Sequence, residues 1–136
     1  MNAILSIAAS GMAAATRRLE VSASNVANAL SDGPLPSADA AIRAQYPAAY
    51  TPKRVDQVET AGGGTAAVVS NVLPGAVATY DPGAPYADNE GMVAAPNVDF
   101  ANEATQQLVA RYTFAMNAMV ARTYAQMMKS LLDIKT

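Results

Sequence analysis

Every proline of this 136-residue chain, and every glycine except Gly11, lies between residues 31 and 96. Proline lacks the amide donor and clashes with the preceding helical turn; glycine loses the most backbone freedom on ordering. The partition therefore leaves two flanks free to form long helices and denies that outcome to the middle. Three regions follow: residues 1–30 as an N-terminal helix, 31–98 as a loop-rich centre with a small β component, and 99–136 as a C-terminal helix.

In the first flank, Leu5, Ala8, Met12, Ala15, Leu19, Ser22 and Val26 step by threes and fours. This is the a/d seam of a heptad repeat, held for about three heptads. A helix of about 27 residues would span roughly 40 Å. Gly11 costs such a helix about 1 kcal/mol relative to alanine. It is either a tolerated defect or the mark of a close helix crossing, and the small residues Ala8, Ala9, Ser10 and Ala13 around it favour a crossing. The stretch "SDGPLP" stacks turn formers and predicts a helix end near Leu30.

In the last flank, Val109, Tyr112, Met116, Met119, Thr123, Met127, Leu131 and Ile134 repeat at the same steps, with Leu108, Val120 and Met128 widening the stripe. Asp99 is placed to cap this helix, and Glu103 supplies an acid near its start, as the helix dipole favours. About 35 residues would run roughly 50 Å, long enough to lie along the first helix. The spacing predicts a mainly α fold, with the terminal helices packed as an antiparallel coiled-coil-like pair. Two helices alone cannot cover both of their flanks. Since the flanks here keep Phe114 and several alanines, the pattern predicts assembly with other chains. The methionines read either as ordinary core or as an adaptable contact surface, and both fit if one side faces the first helix and another faces neighbours.

The centre predicts short strands at 67–69 and 75–80, separated by a turn at Pro74 and Gly75 that would let them pair as a hairpin, while residues 31–53 read as an extended or mobile surface segment. "AGGGT" lacks the Gly-Lys-Ser/Thr ending of a phosphate-binding loop and reads as a loop tip. Asp81, Asp88, Asn89 and Glu90 do not fall at the ligand positions of a calcium loop, and read as turn formers.

Composition narrows the function. The chain has no cysteine and no histidine. Disulfides, thiolate nucleophiles, Ser-His pairs and imidazole ligands are all excluded, so neither catalysis, a metal nor a cofactor is expected. A net charge of −2 without a basic stripe gives no expectation of nucleic acid. No apolar run is long enough to span a membrane. The only early basic residues, Arg17 and Arg18, follow the apolar start rather than precede it, so no cleaved signal peptide is expected.

Two blocks carry a family resemblance. "LEVSASNVANALS" at 19–31 is similar to a Ser-Asn-x-Ala-Asn signature that follows an amphipathic first helix. "YDPGAPYADNEGMVAAPNVDF" at 80–100 matches a longer, more specific series through Tyr80, Pro82, Gly83, Pro85, Ala87, Asp88, Gly91, Val93, Pro96, Asn97, Val98 and Asp99. The sequence thereby resembles the flagellar basal-body rod family, most closely its FlgC-type proximal rod members. Two departures stand out: Phe114-Ala115-Met116-Asn117 displaces the asparagine of an Arg-x-Tyr-x-Ala-Asn pattern by one, and Leu30-Ser31-Asp32-Gly33-Pro34 replaces the usual Thr-Pro-Gly-Tyr.

The resemblance implies a non-enzymatic subunit of the bacterial flagellum, exported by the flagellar type III apparatus and polymerised in the periplasm into a hollow, torque-carrying shaft. Its implied partners are copies of itself, other axial proteins and the export apparatus. The terminal helices would form the inner layer, with both seams offered to neighbours. Asn25 and Asn28, on one helical side, read from the residues alone as either a polar fray or a contact surface; the resemblance favours contact. The rival reading is an amphipathic protein lying on a membrane surface. Such helices normally carry dense Lys/Arg on the polar face with Trp or Phe opposite, and these carry few of either.

Overall fold

The computed structural model describes residues 3–133. Seven elements follow in order: α1 (Ala3–Ala27), α2 (Ala40–Gln45), β1 (Lys53–Glu59), β2 (Thr65–Asn71), β3 (Ala76–Tyr80), β4 (Met92–Pro96) and α3 (Phe100–Asp133). Long helices at the two ends enclose a small β-rich centre, and Ile134 of the expected stripe lies outside the described residues.

The helix ends follow local chemistry. Asp99 caps α3: its Oδ1 accepts the Ala101 and Asn102 amides at 2.8 and 3.2 Å, which satisfies donors that a helix start leaves unpaired. At the other terminus α1 stops at Ala27, three residues before the expected end. There Asn28 turns its side-chain amide back onto the Ser24 carbonyl at 2.9 Å, and the Ser31 amide closes a turn on the Asn28 carbonyl.

α1 is the central element, with α3 on one side and the β1–β2 hairpin on another. Arg18 donates to Gln106 at 3.3 Å and Ser22 to the Glu103 carbonyl at 3.1 Å, while Gly11 faces Asn117. Partners descend along α3 as α1 ascends, so the helices run in opposite directions. Their contact is made of small and polar residues. On α1 the buried positions are Ala8, Gly11, Ala14, Ala15, Val21, Ser22 and Asn25; on α3 they are Glu103 and Ala110.

This corrects the seam of each helix. On α1, Ala8, Ala15 and Ser22 are buried as the heptad predicts and Leu5 and Met12 are half-buried, but Leu19 and Val26 are exposed. Gly11 and Asn25, each one position earlier than a predicted seam residue, take the inner places. On α3 the correction is larger. The face toward α1 steps through Glu103, Ala110 and Asn117, whereas Val109, Tyr112, Met116, Met119, Thr123, Met127 and Leu131 are all exposed. The heptad rule assumes large knobs between helices. Here α1 presents alanine, glycine and serine, and a Cβ added to Gly11 would lie 2.6 Å from the Asn117 Cγ. So close a crossing has no room for methionine or tyrosine, and these are displaced to the flanks.

The centre also pairs differently from expectation. Residues 67–69 and 76–80 do belong to strands, but they do not pair with each other. β2 pairs antiparallel with β1, from Lys53 opposite Asn71 to Glu59 opposite Thr65, and β3 pairs antiparallel with β4, from Ala76 opposite Pro96 to Tyr80 opposite Met92. Pro74 and Gly75 thus link two hairpins instead of closing one. The "AGGGT" stretch closes the first hairpin as a loop: Gly62, Gly63 and Gly64 all have positive φ, which side chains disfavour. Residues 31–53, read as extended, contain the single helical turn and a half of α2.

The first hairpin lies along α1. Its base is at Asn25, whose side chain bonds Lys53, and its tip is at Ser10, whose Oγ accepts the Thr65 amide at 3.1 Å. Fifteen residues of helix and a seven-residue strand each span about 22 Å, so the two elements match in length. The second hairpin is anchored by the fully buried Val93 and by a two-bond bridge between Gly33 and Ala94, both at 2.9 Å.

Candidate assembly interface

Two features of the terminal helices stand out. One is a polar knot where α1 ends and α3 begins. The Asn25 side chain is 1% exposed. Its Nδ2 donates to the Lys53 carbonyl and to Glu103 Oε1, both at 2.7 Å; its Oδ1 accepts the Lys53 amide at 2.9 Å and the Tyr50 hydroxyl at 3.0 Å. An asparagine amide offers two donors and two acceptor lone pairs, so its capacity is filled. The Ser24 hydroxyl adds to the knot at 3.2 Å from Tyr50 Oη.

The sequence places Asn25 among the residues offered to neighbouring chains; in the fold its hydrogen bonds are all made within the chain. Asn28 is half-buried and occupied with Ser24 and Ser31. Glu103, read from sequence as a dipole acid, is 7% exposed and belongs to the knot. Nothing in its position signals this, because an acid in a first turn normally faces water. Lys53 and Tyr50 also escape sequence reading, since they come from the segment with no helical period.

The other feature is an apolar surface. Leu108, Val109, Tyr112, Val120, Met127 and Leu131 are exposed along α3, with Met116 and Met119 about 70% exposed, and Thr123 sits among them. Phe114 and Met128 are exposed as well. Where this surface meets Leu19 of α1 it forms a groove of about 590 Å³ lined by Ala15, Thr16, Leu19, Leu108, Ala110, Arg111, Tyr112, Phe114 and Ala115. Among the described residues that line it, Arg111 alone is charged. A protein that folds alone seldom leaves an apolar surface of this extent in water.

The second sequence block is structural. Tyr80 ends β3 and Pro82, Gly83, Pro85 and Ala87 lie in the loop to β4. Asp88 closes that loop, its Oδ1 accepting the Glu90 and Met92 amides at 2.9 and 2.8 Å, while Asp81 Oδ1 accepts the Gly83 amide at 3.2 Å. These carboxylates act as turn formers. Gly91 turns the chain at positive φ, and Val93 and Pro96 are buried in β4. Asn97 ties back to the Pro74 carbonyl at 3.0 Å, Val98 follows, and Asp99 caps α3. In the same region Tyr86 packs on Tyr46 with ring centroids 5.5 Å apart, and burial together with Asp32 and Asp81 holds its phenol above the ordinary value of 10.0.

Comparison with known proteins assigns the scaffold. Residues 5–33, the first helix and its exit, match the family model described as flagella basal body rod protein. Over nearly the whole chain the sequence is similar to the flagellar basal-body rod protein FlgC of Salmonella typhimurium, at 34% identity across 96% of this chain and 95% of the relative. The chain belongs to the FlgC family of flagellar basal-body rod proteins. Family members from Yersinia enterocolitica and Agrobacterium fabrum are 33% and 31% identical, covering 96% and 98% of this chain and 95% and 94% of theirs. Members of this family are structural proteins, not enzymes, which agrees with a chain lacking histidine and cysteine. Among the described residues no helix is long and apolar enough to cross a membrane.

Proposed function

We propose that this chain assembles with copies of itself and with other basal-body axial proteins into the proximal part of the flagellar rod, a hollow shaft that carries torque. In this reading residues 1–30 and 99–136 form the inner axial layer as an antiparallel, coiled-coil-like pair. Residues 31–98 form a small outer element. The subunit reaches the periplasm through the flagellar type III export apparatus without losing a signal peptide. Support for these points comes from the family and from the amphipathic terminal helices.

The observation that carries the assembly reading is the exposed face of α3, with Met116, Met119, Met127 and Leu131 all open to solvent. Methionine suits such a surface because its unbranched chain adapts to imperfectly matched partners. The contacts to neighbours are assigned to this face, with Leu19, Val26 and the unburied parts of Leu5 and Met12 contributing from α1. Ala8, Ala15, Ser22 and Asn25 act from inside, by setting how the helices lie.

Met119→Asp tests this. The side chain is 70% exposed, so the isolated subunit should keep its circular dichroism spectrum and lose no more than about 0.5 kcal/mol of stability. In cells relying on this subunit, rod incorporation and motility should be lost, because the carboxylate would be buried unpaired in the assembled shaft. Full motility with the variant would refute the assignment of this face.

A further inference from the structure

The knot at Asn25 has a consequence for how the chain opens. Its four hydrogen bonds join three segments far apart in sequence: the last turns of α1, the start of β1 and the first turn of α3. Lys53 gives both its amide and its carbonyl to this one side chain, so Asn25 stands where a neighbouring strand would otherwise pair. The Ser22 hydroxyl adds a second tie, to the Glu103 carbonyl at 3.1 Å. Pulling any one segment away leaves the others with unpaired polar groups in a water-poor site, which is costly for all of them at once.

The far end of α3 is built differently. Its buried residues are Glu103 and Ala110, Asn117 is half-buried where it meets Gly11, and every residue of 125–132 is exposed. Stretches with few buried contacts open at low free energy, and those sharing a buried network open together.

We propose that Asn25 is a positioning residue that binds the end of α1, the start of β1 and the start of α3 into one cooperative unit, leaving the last turns of α3 to open separately. The first hairpin then keeps a fixed seat on the helix pair while the exposed residues 125–132 can separate and meet another partner. This rests on the internal geometry and holds whether or not the exposed face is the assembly surface.

Hydrogen exchange of the full-length chain, dilute and read by mass spectrometry across a denaturant series, tests it. Peptides covering 18–29, 50–58 and 100–110 should share one opening, and 125–132 should exchange roughly a hundredfold faster. Asn25→Ala should accelerate all three protected segments by roughly tenfold or more and leave 125–132 unchanged. Glu103→Gln keeps an oxygen acceptor in place and should stay close to the wild type. Asn25→Asp removes the donors and sets a second carboxylate beside Glu103; adding Glu103→Gln to it supplies a donor and should recover part of the protection.

Three separate openings in the wild type would overturn the proposal, as would an Asn25→Ala effect confined to α1 or a failure of the double variant to recover. Should Asn25→Ala not fold, the wild-type series and the double variant decide the matter alone.

Discussion

Gly11→Ala tests the close crossing of α1 and α3. In an isolated helix this change is stabilising by about 1 kcal/mol, since alanine is the best helix former and glycine among the worst. In this fold the new methyl would sit 2.6 Å from the Asn117 Cγ and 2.7 Å from its Nδ2, with Oδ1 nearer still. Asn117 must turn aside, losing the bond from its Nδ2 to the Thr113 carbonyl at 2.8 Å. That bond is worth about 0.5–1.5 kcal/mol, and forced overpacking costs about 1–3 kcal/mol. Set against the helix gain, the balance is a net loss of about 2 kcal/mol, or about 8 °C in Tm for a chain of this size. Urea denaturation followed by circular dichroism measures it. The decisive comparison is the double variant: with Asn117→Ala already in place the obstructing amide is gone, and adding Gly11→Ala should stabilise by about 1 kcal/mol. The change therefore reverses sign between the two backgrounds. Equal stabilisation in both would mean that the helices are not in close contact at this point, and the account of why the large residues lie outside would fail.

Two further variants probe the helix cap and the tyrosine pair. Asp99→Ala removes the acceptor for the Ala101 and Asn102 amides and should cost about 1 kcal/mol in the same denaturation assay, with Asp99→Asn nearly neutral. Tyr86, whose phenol is held above 10.0 by burial and by Asp32 and Asp81, contributes stability that is complete below pH 10.0 and lost as pH rises through its folded-state pKa. Because other tyrosines titrate nearby, the readout is the difference between the wild type and Tyr86→Phe from pH 9 to 11, which should narrow as pH rises; a constant difference would contradict it.

Legibility in the sequence varied with how local each feature is. The cap at Asp99, the turn at Asp88, the glycine loop at 62–64 and the two long helices each depend on residues within a few positions of one another, and all could be read directly. β1 could not. "KRVDQVE" has charged residues and valines three apart, without the alternation that marks a half-buried strand; it becomes a strand because β2 pairs with it and α1 supports the hairpin. The expected pairing of 67–69 with 75–80 failed for the same reason: a Pro-Gly turn signal is local, whereas the choice of partner strand is not. Glu103 shows the limit most clearly. Its position in a first turn predicts exposure, and only Asn25, brought from 78 residues away, makes its burial possible.

By itself, then, the sequence determined that both ends of this chain are helices, that the middle is not, and that no histidine or cysteine chemistry is available; the two motif blocks also indicated the rod family. Tertiary structure alone decided which face of each helix turns inward and which residues Asn25 holds. Periodicity identifies apolar stripes, but whether a stripe is core or surface depends on how closely two axes approach. In this chain Gly11 and the alanines of α1 bring them so near that only small and polar side chains fit between, leaving Tyr112 and the methionines of α3 outside.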